Sequence, residues 1–521
     1  MSGLIRSFEH DFEALVKKHG CETAVIVPAE IDPLHITYDR LNELVERCLV
    51  FYQEKGLKPG DVIFSLMPNA AETVVCFLAA IAGGYGFAPL PCIASRREID
   101  RWIGLIGPKL CVTTSLITRD GENTMKESGI PTTFIDSDGN FNWLPAYSVN
   151  SAKSGAKAAG ARVYLSTSGT TGEPKAMVLD ANTLWSSGVA FMKFHDLKDA
   201  QLRFWNYLPM SYLGGLFNLA LIPLSTGGSL VIDETFSGKT FLQFWQTVER
   251  FDINAIWFVP TIARGLLSMA ERTPANIARG YGSKLKATFI GTAPIDLETK
   301  RKLEQTFGLK TFENFALSET TFFTTETADN YEVREEGSAG EILPYADVKL
   351  VSLEDSDATD AEAPKQVFVR SPFLFKGYLQ ADGTLALNLD SEGYFATGDL
   401  GELTANNILR ITGRFKDFIK KGGYLVALRE VEVLAEQHPA VHEAAAVKVK
   451  HGFYGESFDL YVTLAPGFDD GALGEIGPYV HKGLIKYKWP ERILSIKEFP
   501  KTLGGKIQKH LITQMVQEVK A

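Results

Sequence analysis

Cysteine is scarce in this 521-residue chain. Its five copies, Cys21, Cys48, Cys76, Cys92 and Cys111, all fall in the first quarter, and none stands in CxxC or another metal-ligand spacing. They read as reduced, mostly buried thiols of a cytoplasmic protein. A basic surplus is lacking too: 53 Lys+Arg against 63 Asp+Glu leave a formal charge of −10, which carries no electrostatic footprint for nucleic acid. No export signal is predicted, because MSGLIRSFEHDFEALVKKHG has acidic residues and no apolar core after its basic start, and the final VKA is not a peroxisomal SKL. Unbroken apolar runs are also missing. Two uncharged stretches raise the membrane question, TVVCFLAAIAGGYGFAPLPCIAS from Thr73 and FWNYLPMSYLGGLFNLALIPLSTGGSLVI from Phe204, and both are interrupted by glycine and proline. In the first, Gly83, Gly84, Gly86, Pro89 and Pro91 predict a buried helix, a turn and a buried strand rather than a transmembrane span.

What is present is a chain with 45% hydrophobic and 22% charged residues, long enough for more than one domain. Helical apolar patterns alternate with short β-branched runs, as in VVCFLAAIAG then GFAPL, and FLQFWQTVERF then INAIWFVP. The strands are apolar on both faces, as in a sheet covered by helices on each side, so an α/β fold is expected. Ser151 to Gly160 and Glu354 to Pro364 read as exposed linkers.

The most informative segment is VYLSTSGTTGEPKAMV, from Val163 to Val178. It starts as a strand and then crowds hydroxyls and glycines into a turn. Gly169 and Gly172 free the backbone to approach an anion. Ser166, Thr167, Ser168, Thr170 and Thr171 supply hydroxyl donors, and Lys175 adds a compact positive charge. The loop suits a polyphosphate. It is not a Walker A sequence, because Pro174 stands where the second glycine of GxxxxGK belongs.

STSGTTGEPK resembles the signature loop of the adenylate-forming superfamily, which includes acyl- and aryl-CoA synthetases, nonribosomal peptide adenylation domains and luciferases. Further motifs follow in that family's order. GLKPGDVIFSLMPN and AGGYGFAPLP resemble its N-terminal scaffold, and IGTAPID, ENFALSETT and GYFATGDLG follow downstream. The resemblance implies that the loop grips the ATP phosphates, that Gly291, Thr292 and Ala293 flank one face of adenine, and that Phe315 stacks on the other. It assigns Ser318 to the α-phosphate, Glu319 to Mg²⁺, and Asp399 with Arg414 to the ribose hydroxyls. The chemistry agrees: a hard cation bridging phosphates takes carboxylate oxygen, and a diol suits a carboxylate beside a fixed fork of donors. Two departures stand out, Ala316 for the family's glycine and Ser318 for its threonine. Serine keeps the donor, while the methyl of Ala316 implies a slightly narrowed acyl channel.

The resemblance also implies the architecture: a large multi-subdomain N-terminal α/β domain (1–412) and a small mobile α+β C-terminal domain (413–521). The second would rotate about Lys416 and bring Gly423 to the active site, where a pantetheine arm passes. FPKTLGGKIQKHLI resembles the family's PKTxxGKxxR, with Lys506 on the key lysine and Lys509 for arginine. A positioned ammonium lowers the barrier when a carboxylate attacks the α-phosphate, since two anions are pressed together. LPMSYLGGLFN aligns with PxxHxxG, with Tyr212 in place of histidine. The position that holds an aspartate in amino-acid-activating relatives falls near Leu213, and the stretch has no carboxylate, so an apolar acid is expected. The implied reaction is MgATP-dependent acyl-AMP formation and then thioester formation with coenzyme A. A ligase that loads a separate carrier protein and a nucleotide-binding pseudoenzyme remain the alternatives.

Overall fold

A computed structural model describes residues 4–146, 160–167, 175–271, 273, 275–293, 295–352, 365–415, 418–421, 424–452, 455–501 and 507–518. Both predicted linkers lie almost wholly outside these residues. The chain separates into two compact units, each drawn from three stretches. The first joins Met1–Arg334, Gly340–Asp347 and Arg370–Leu389; the second joins Glu335–Ala339, Val348–Val369 and Asp390–Ala521.

The first unit holds two sheets. One has eight strands, five of which (Thr132–Phe134, Leu110–Thr113, Val62–Leu66, Gly86–Leu90 and Arg162–Thr167) run parallel in that spatial order. Lys175–Asp180, Gly377–Leu379 and Leu385–Ala386 then add on antiparallel. Every residue of Val62–Leu66 and Gly86–Leu90 is buried, which is why these strands show no polar alternation. The helix Ala71–Ala82 that precedes Gly86–Leu90 is buried on nearly all sides. This confirms the reading of the first uncharged stretch. Among the described residues no helix is long and apolar enough to cross a membrane.

The second sheet of this unit runs, in spatial order, from Leu34–Thr37 through Thr23–Val27, Ser229–Ile232, Arg203–Asn206, Ala255–Phe258, Ala287–Ile290 and Phe312–Leu317 to Thr321–Thr325. An aromatic cluster locks its centre. Phe322 lies 4.3 Å from the Phe191 ring and 5.2 Å from that of Trp257, and Phe289 stands 4.7 Å from Trp257. Offset and tilted rings at such spacings add to plain area burial. The second uncharged stretch departs from ordinary winding: Gly214–Leu221 is a π-helix that runs into the short α-helix Ile222–Ser225. Its Phe217 packs at 5.7 Å on Phe322.

Within the second unit, Lys365–Arg370, Phe395–Leu403 and Ile408–Arg414 pair antiparallel. A separate sheet is built from Tyr424–Ala427, Phe418–Lys421, Gly455–Leu464, Val441–His451 and Ile493–Ser495. Here the alternation is plain. Ala444, Ala446, Phe458, Leu460 and Val462 face one core with the helices Leu428–Glu436 and Leu473–Gly483. Ala445, Val447 and Tyr461 face the opposite side with Phe499 and Ile512. The cysteines are all free, with Cys48, Cys76 and Cys111 buried and Cys21 exposed.

Candidate active site

The glycine- and hydroxyl-rich segment sits at the end of a hairpin. Arg162–Thr167 and Lys175–Asp180 are antiparallel with Ser166 opposite Ala176 and Thr167 opposite Lys175. Both Ser166 and Lys175 are exposed at this neck. Ser168, Gly169, Thr170, Thr171 and Gly172 lie outside the described residues.

Ala287–Ile290 runs parallel to Phe312–Leu317, so the IGTAPID and ENFALSETT segments leave the same sheet side by side. A Cβ on Gly291 would stand 2.9 Å from Asn314 Oδ1 and 3.0 Å from the Asn314 carbonyl, so only glycine lets the strand ends approach this closely. Thr292 has φ of 75°, a left-handed conformation that a β-branched residue adopts under tertiary constraint. Asn314 was not singled out from sequence. Its Nδ2 is buried without a hydrogen-bond partner among the described residues. The Phe315 ring lies 5.2 Å from Phe323, edge to face, and Ala316 is exposed on the same strand.

Ser318 and Glu319 occupy the turn between Phe312–Leu317 and Thr321–Thr325, both half-buried. The turn is tied by Thr320 N–H to the Leu317 carbonyl at 3.2 Å, and it exits through Thr321 at φ of 54°. The Phe375 N–H donates to the Glu319 carbonyl at 2.8 Å, and the Lys376 N–H to that of Val178 at 2.8 Å. Gly377 then pairs with Val178 and Tyr378 with Met177. Tyr378, also missed from sequence, donates its hydroxyl to Glu319 Oε1, and Lys175 Nζ stands 4.9 Å from the centre of its ring. The three residues come from elements far apart in the chain. Burial first, then the Glu319 charge, pushes the Tyr378 phenol well above its ordinary range.

Leu208, Met210, Leu213, Leu216 and Phe217 are buried, and Tyr212, among them in sequence, is half-buried, with burial pushing its phenol up. Asn69 Nδ2 donates to the Leu208 carbonyl at 2.9 Å and its Oδ1 accepts from Met210 N–H at 2.9 Å, which fixes the start of this segment.

In the second unit Asp399 is buried, opposite Arg414 across the Phe395–Leu403 and Ile408–Arg414 ladder. The Thr397 hydroxyl accepts from the Asp399 N–H at 3.0 Å. Lys416, Gly423 and Lys506 lie outside the described residues. On either side of residues 502–506 the chain is anchored: Lys501 pairs with Ile507, and Gln508 N–H donates to the Pro500 carbonyl at 2.8 Å. Lys501 Nζ meets Glu443 at 2.8 Å, and Lys509 Nζ meets the buried Glu432 at 2.7 Å.

The hydroxyl-rich hairpin, the constrained Gly291 crossing and the Glu319 turn follow one another along the chain in the order of the motifs of an AMP-binding enzyme. The family model described as AMP-binding enzyme matches residues 12–379, and that of the AMP-binding enzyme C-terminal domain matches residues 430–506. The chain belongs to this adenylate-forming, ATP-using superfamily and is of its acyl- and aryl-CoA synthetase type. It is 27% identical to the oxalate–CoA ligase of Arabidopsis thaliana over 523 residues, covering 96% of this chain and 97% of that one. It is also 27% identical to the sulfoacetate–CoA ligase of Cupriavidus necator over 469 residues, 88% of each. ATP-bound MatB from Rhodopseudomonas palustris has the same fold, with a TM-score of 0.82 at 23% identity over 98% of this chain and 99% of that one.

Proposed function

We propose that this protein is an AMP-forming acid–thiol ligase: carboxylate and ATP give acyl-AMP and pyrophosphate, and coenzyme A then takes the acyl group as a thioester. The observation that carries the reading is the convergence of Lys175 and the Glu319 turn on one side chain, Tyr378, at the neck of the phosphate-loop hairpin. The names of the relatives, each a CoA ligase, support coenzyme A as acceptor.

In this reading the loop from Ser166 through Ser168, Gly169, Thr170, Thr171 and Gly172 to Lys175 binds the β- and γ-phosphates. Gly291, Thr292, Ala293 and Phe315 enclose adenine, and the orphaned Nδ2 of Asn314 is a donor suited to a ring nitrogen. Asp399 and Arg414 take the ribose, and Ser318 the α-phosphate. Glu319 would hold Mg²⁺, which when bound neutralises charge on the leaving pyrophosphate; a single carboxylate plus substrate phosphates is this cation's usual environment. Lys506 stabilises the charge that develops as the acid attacks. The domain boundary at 412/413 and the hinge at Lys416 belong to the same proposal, with Gly423 passing the pantetheine arm.

Relatives named for oxalate and for sulfoacetate differ in their acid, so the acid is inferred from this chain's own wall. Tyr212 and Leu213 on an apolar segment, with Ala316 narrowing the channel, favour an apolar aliphatic or aromatic acid. The test is exchange of labelled pyrophosphate into ATP across a panel of acids, followed by thioester formation with free coenzyme A and with a phosphopantetheinylated carrier protein. Exchange driven by apolar acids and a preference for free coenzyme A are expected. Absence of exchange with every acid would overturn the proposal in favour of a nucleotide-binding pseudoenzyme.

A further inference from the structure

Tyr378 lies outside the motifs read from sequence, on a three-residue strand, Gly377–Leu379. Its position is tightly determined. Gly377 has φ of +129°, and a Cβ there would come 2.8 Å from the Ala386 carbonyl, so the strand closes only on glycine. Register with Met177, a ring contact to Phe375 at 4.9 Å and the Phe375 N–H bond to the Glu319 carbonyl then leave the phenol directed at the carboxylate. One side chain thus meets both charged groups of opposite sign. The hydroxyl takes one Glu319 oxygen, and the ring face receives Lys175 Nζ at 4.9 Å.

We infer that Tyr378 is a positioning residue that holds Glu319 for a divalent cation and keeps Lys175 aligned on the phosphate side. A carboxylate has acceptor capacity on two oxygens, so a hydroxyl on Oε1 fixes the group while leaving it able to bind a cation. Without that bond Glu319 gains rotamer freedom that cation binding must then remove. Without the ring, Lys175 loses an electrostatic partner that orients it without neutralising it, as an acidic neighbour would. The inference rests on the reading of this site as a MgATP site.

The test separates hydroxyl from ring. In the full-length protein, ATP binding is measured calorimetrically without metal and across a Mg²⁺ titration, for wild type, Tyr378→Phe and Tyr378→Leu, with thermal melting alongside. Tyr378→Phe is expected to bind metal-free ATP within about twofold of wild type, and to need about 10-fold more Mg²⁺ for half-maximal tightening, the low end of what outer partners of metal ligands contribute. Tyr378→Leu is expected to weaken metal-free ATP binding several-fold as well. In a Glu319→Gln background, Tyr378→Phe should add nothing, because the two act through one group. An unchanged Mg²⁺ midpoint in Tyr378→Phe, or equal losses with and without metal together with a lowered melting temperature, overturns the inference. Failure of the wild type to bind ATP at all overturns the functional reading instead.

Discussion

Asp399 and Arg414 face one another across a single antiparallel register pair, and the guanidinium Nε donates to the carboxylate Oδ1 at 2.8 Å. The Asp399 side chain is only 2% exposed and that of Arg414 41%, so the pair joins a buried anchor to a partly accessible partner. If the anchor binds the ribose, Asp399→Ala should weaken ATP binding by about 1.5–3 kcal/mol, the worth of a charged hydrogen bond, with little change in KM for the acid. Calorimetry and pyrophosphate exchange under saturating acid measure this; unaltered ATP affinity would remove Asp399 from the nucleotide site.

Gly291→Ala is expected to raise KM for ATP about 10-fold and also to lower the melting temperature, since its Cβ would press on the Asn314 carbonyl beside the proposed base pocket and force the two strand ends apart. Asn314→Leu removes the orphaned amide and should raise the same constant. The two effects should combine less than additively, because the sites touch.

A buried ionic network gives a pH prediction. Lys300 Nζ meets Glu313 at 2.8 Å and Glu326 at 2.7 Å, and Arg334 meets Glu304 at 2.9 Å. Burial pushes the Glu304 carboxyl up, but bonds from Arg334, Thr311 and Tyr331 outweigh it and hold the group below its ordinary 4.5. A lowered carboxyl stabilises the fold above its unfolded value, and that contribution disappears as pH falls through the folded one. Melting temperature should therefore drop below pH 4.5, and Glu304→Gln should flatten the dependence. Lys300 is pulled down by burial and raised further by Glu313 and Glu326, so its contribution should be lost above pH 10.5. Glu326→Ala, which takes one of its two carboxylates from buried Lys300, should cost about 3 kcal/mol in denaturant titrations, the low end for breaking a buried pair.

Lys506→Ala should lower acid-dependent pyrophosphate exchange by about 10²–10³-fold, the scale of one preorganised electrostatic group, with ATP binding preserved. Undiminished exchange would refute its role. Glu432→Ala is the structural counterpart. It removes the acceptor of Lys509 Nζ and of the Ala446 N–H, both at 2.7 Å, so it should destabilise the second unit by about 3 kcal/mol.

The sequence made the scaffold legible where one residue type has one use. Gly83 and Gly84 end a helix before Gly86–Leu90, and the segment that opens the Ser/Thr/Gly run, Arg162–Thr167, is the strand that its apolar start predicts. Tyr378 was not legible, because its meaning comes from Glu319, 59 residues away in sequence, and a lone tyrosine in SPFLFKGYL reads as any half-buried strand residue. Asn314 was hidden similarly: its closeness to Gly291 depends on parallel register between two strands. The π-helix was illegible because GGLFNLAL has the apolar content of an ordinary buried helix, and the winding difference lies in backbone bonding.

For Gly214–Leu221, segment length is a sensitive variable alongside side-chain identity. Each residue advances an ordinary helix by about 100°, so a one-residue deletion that rewound this stretch would swing Phe217 away from Phe322 and present a different edge along the whole wall. If this segment lines the acid pocket as proposed, insertions and deletions here, and not only point substitutions, are changes through which such a scaffold would acquire a new choice of acid.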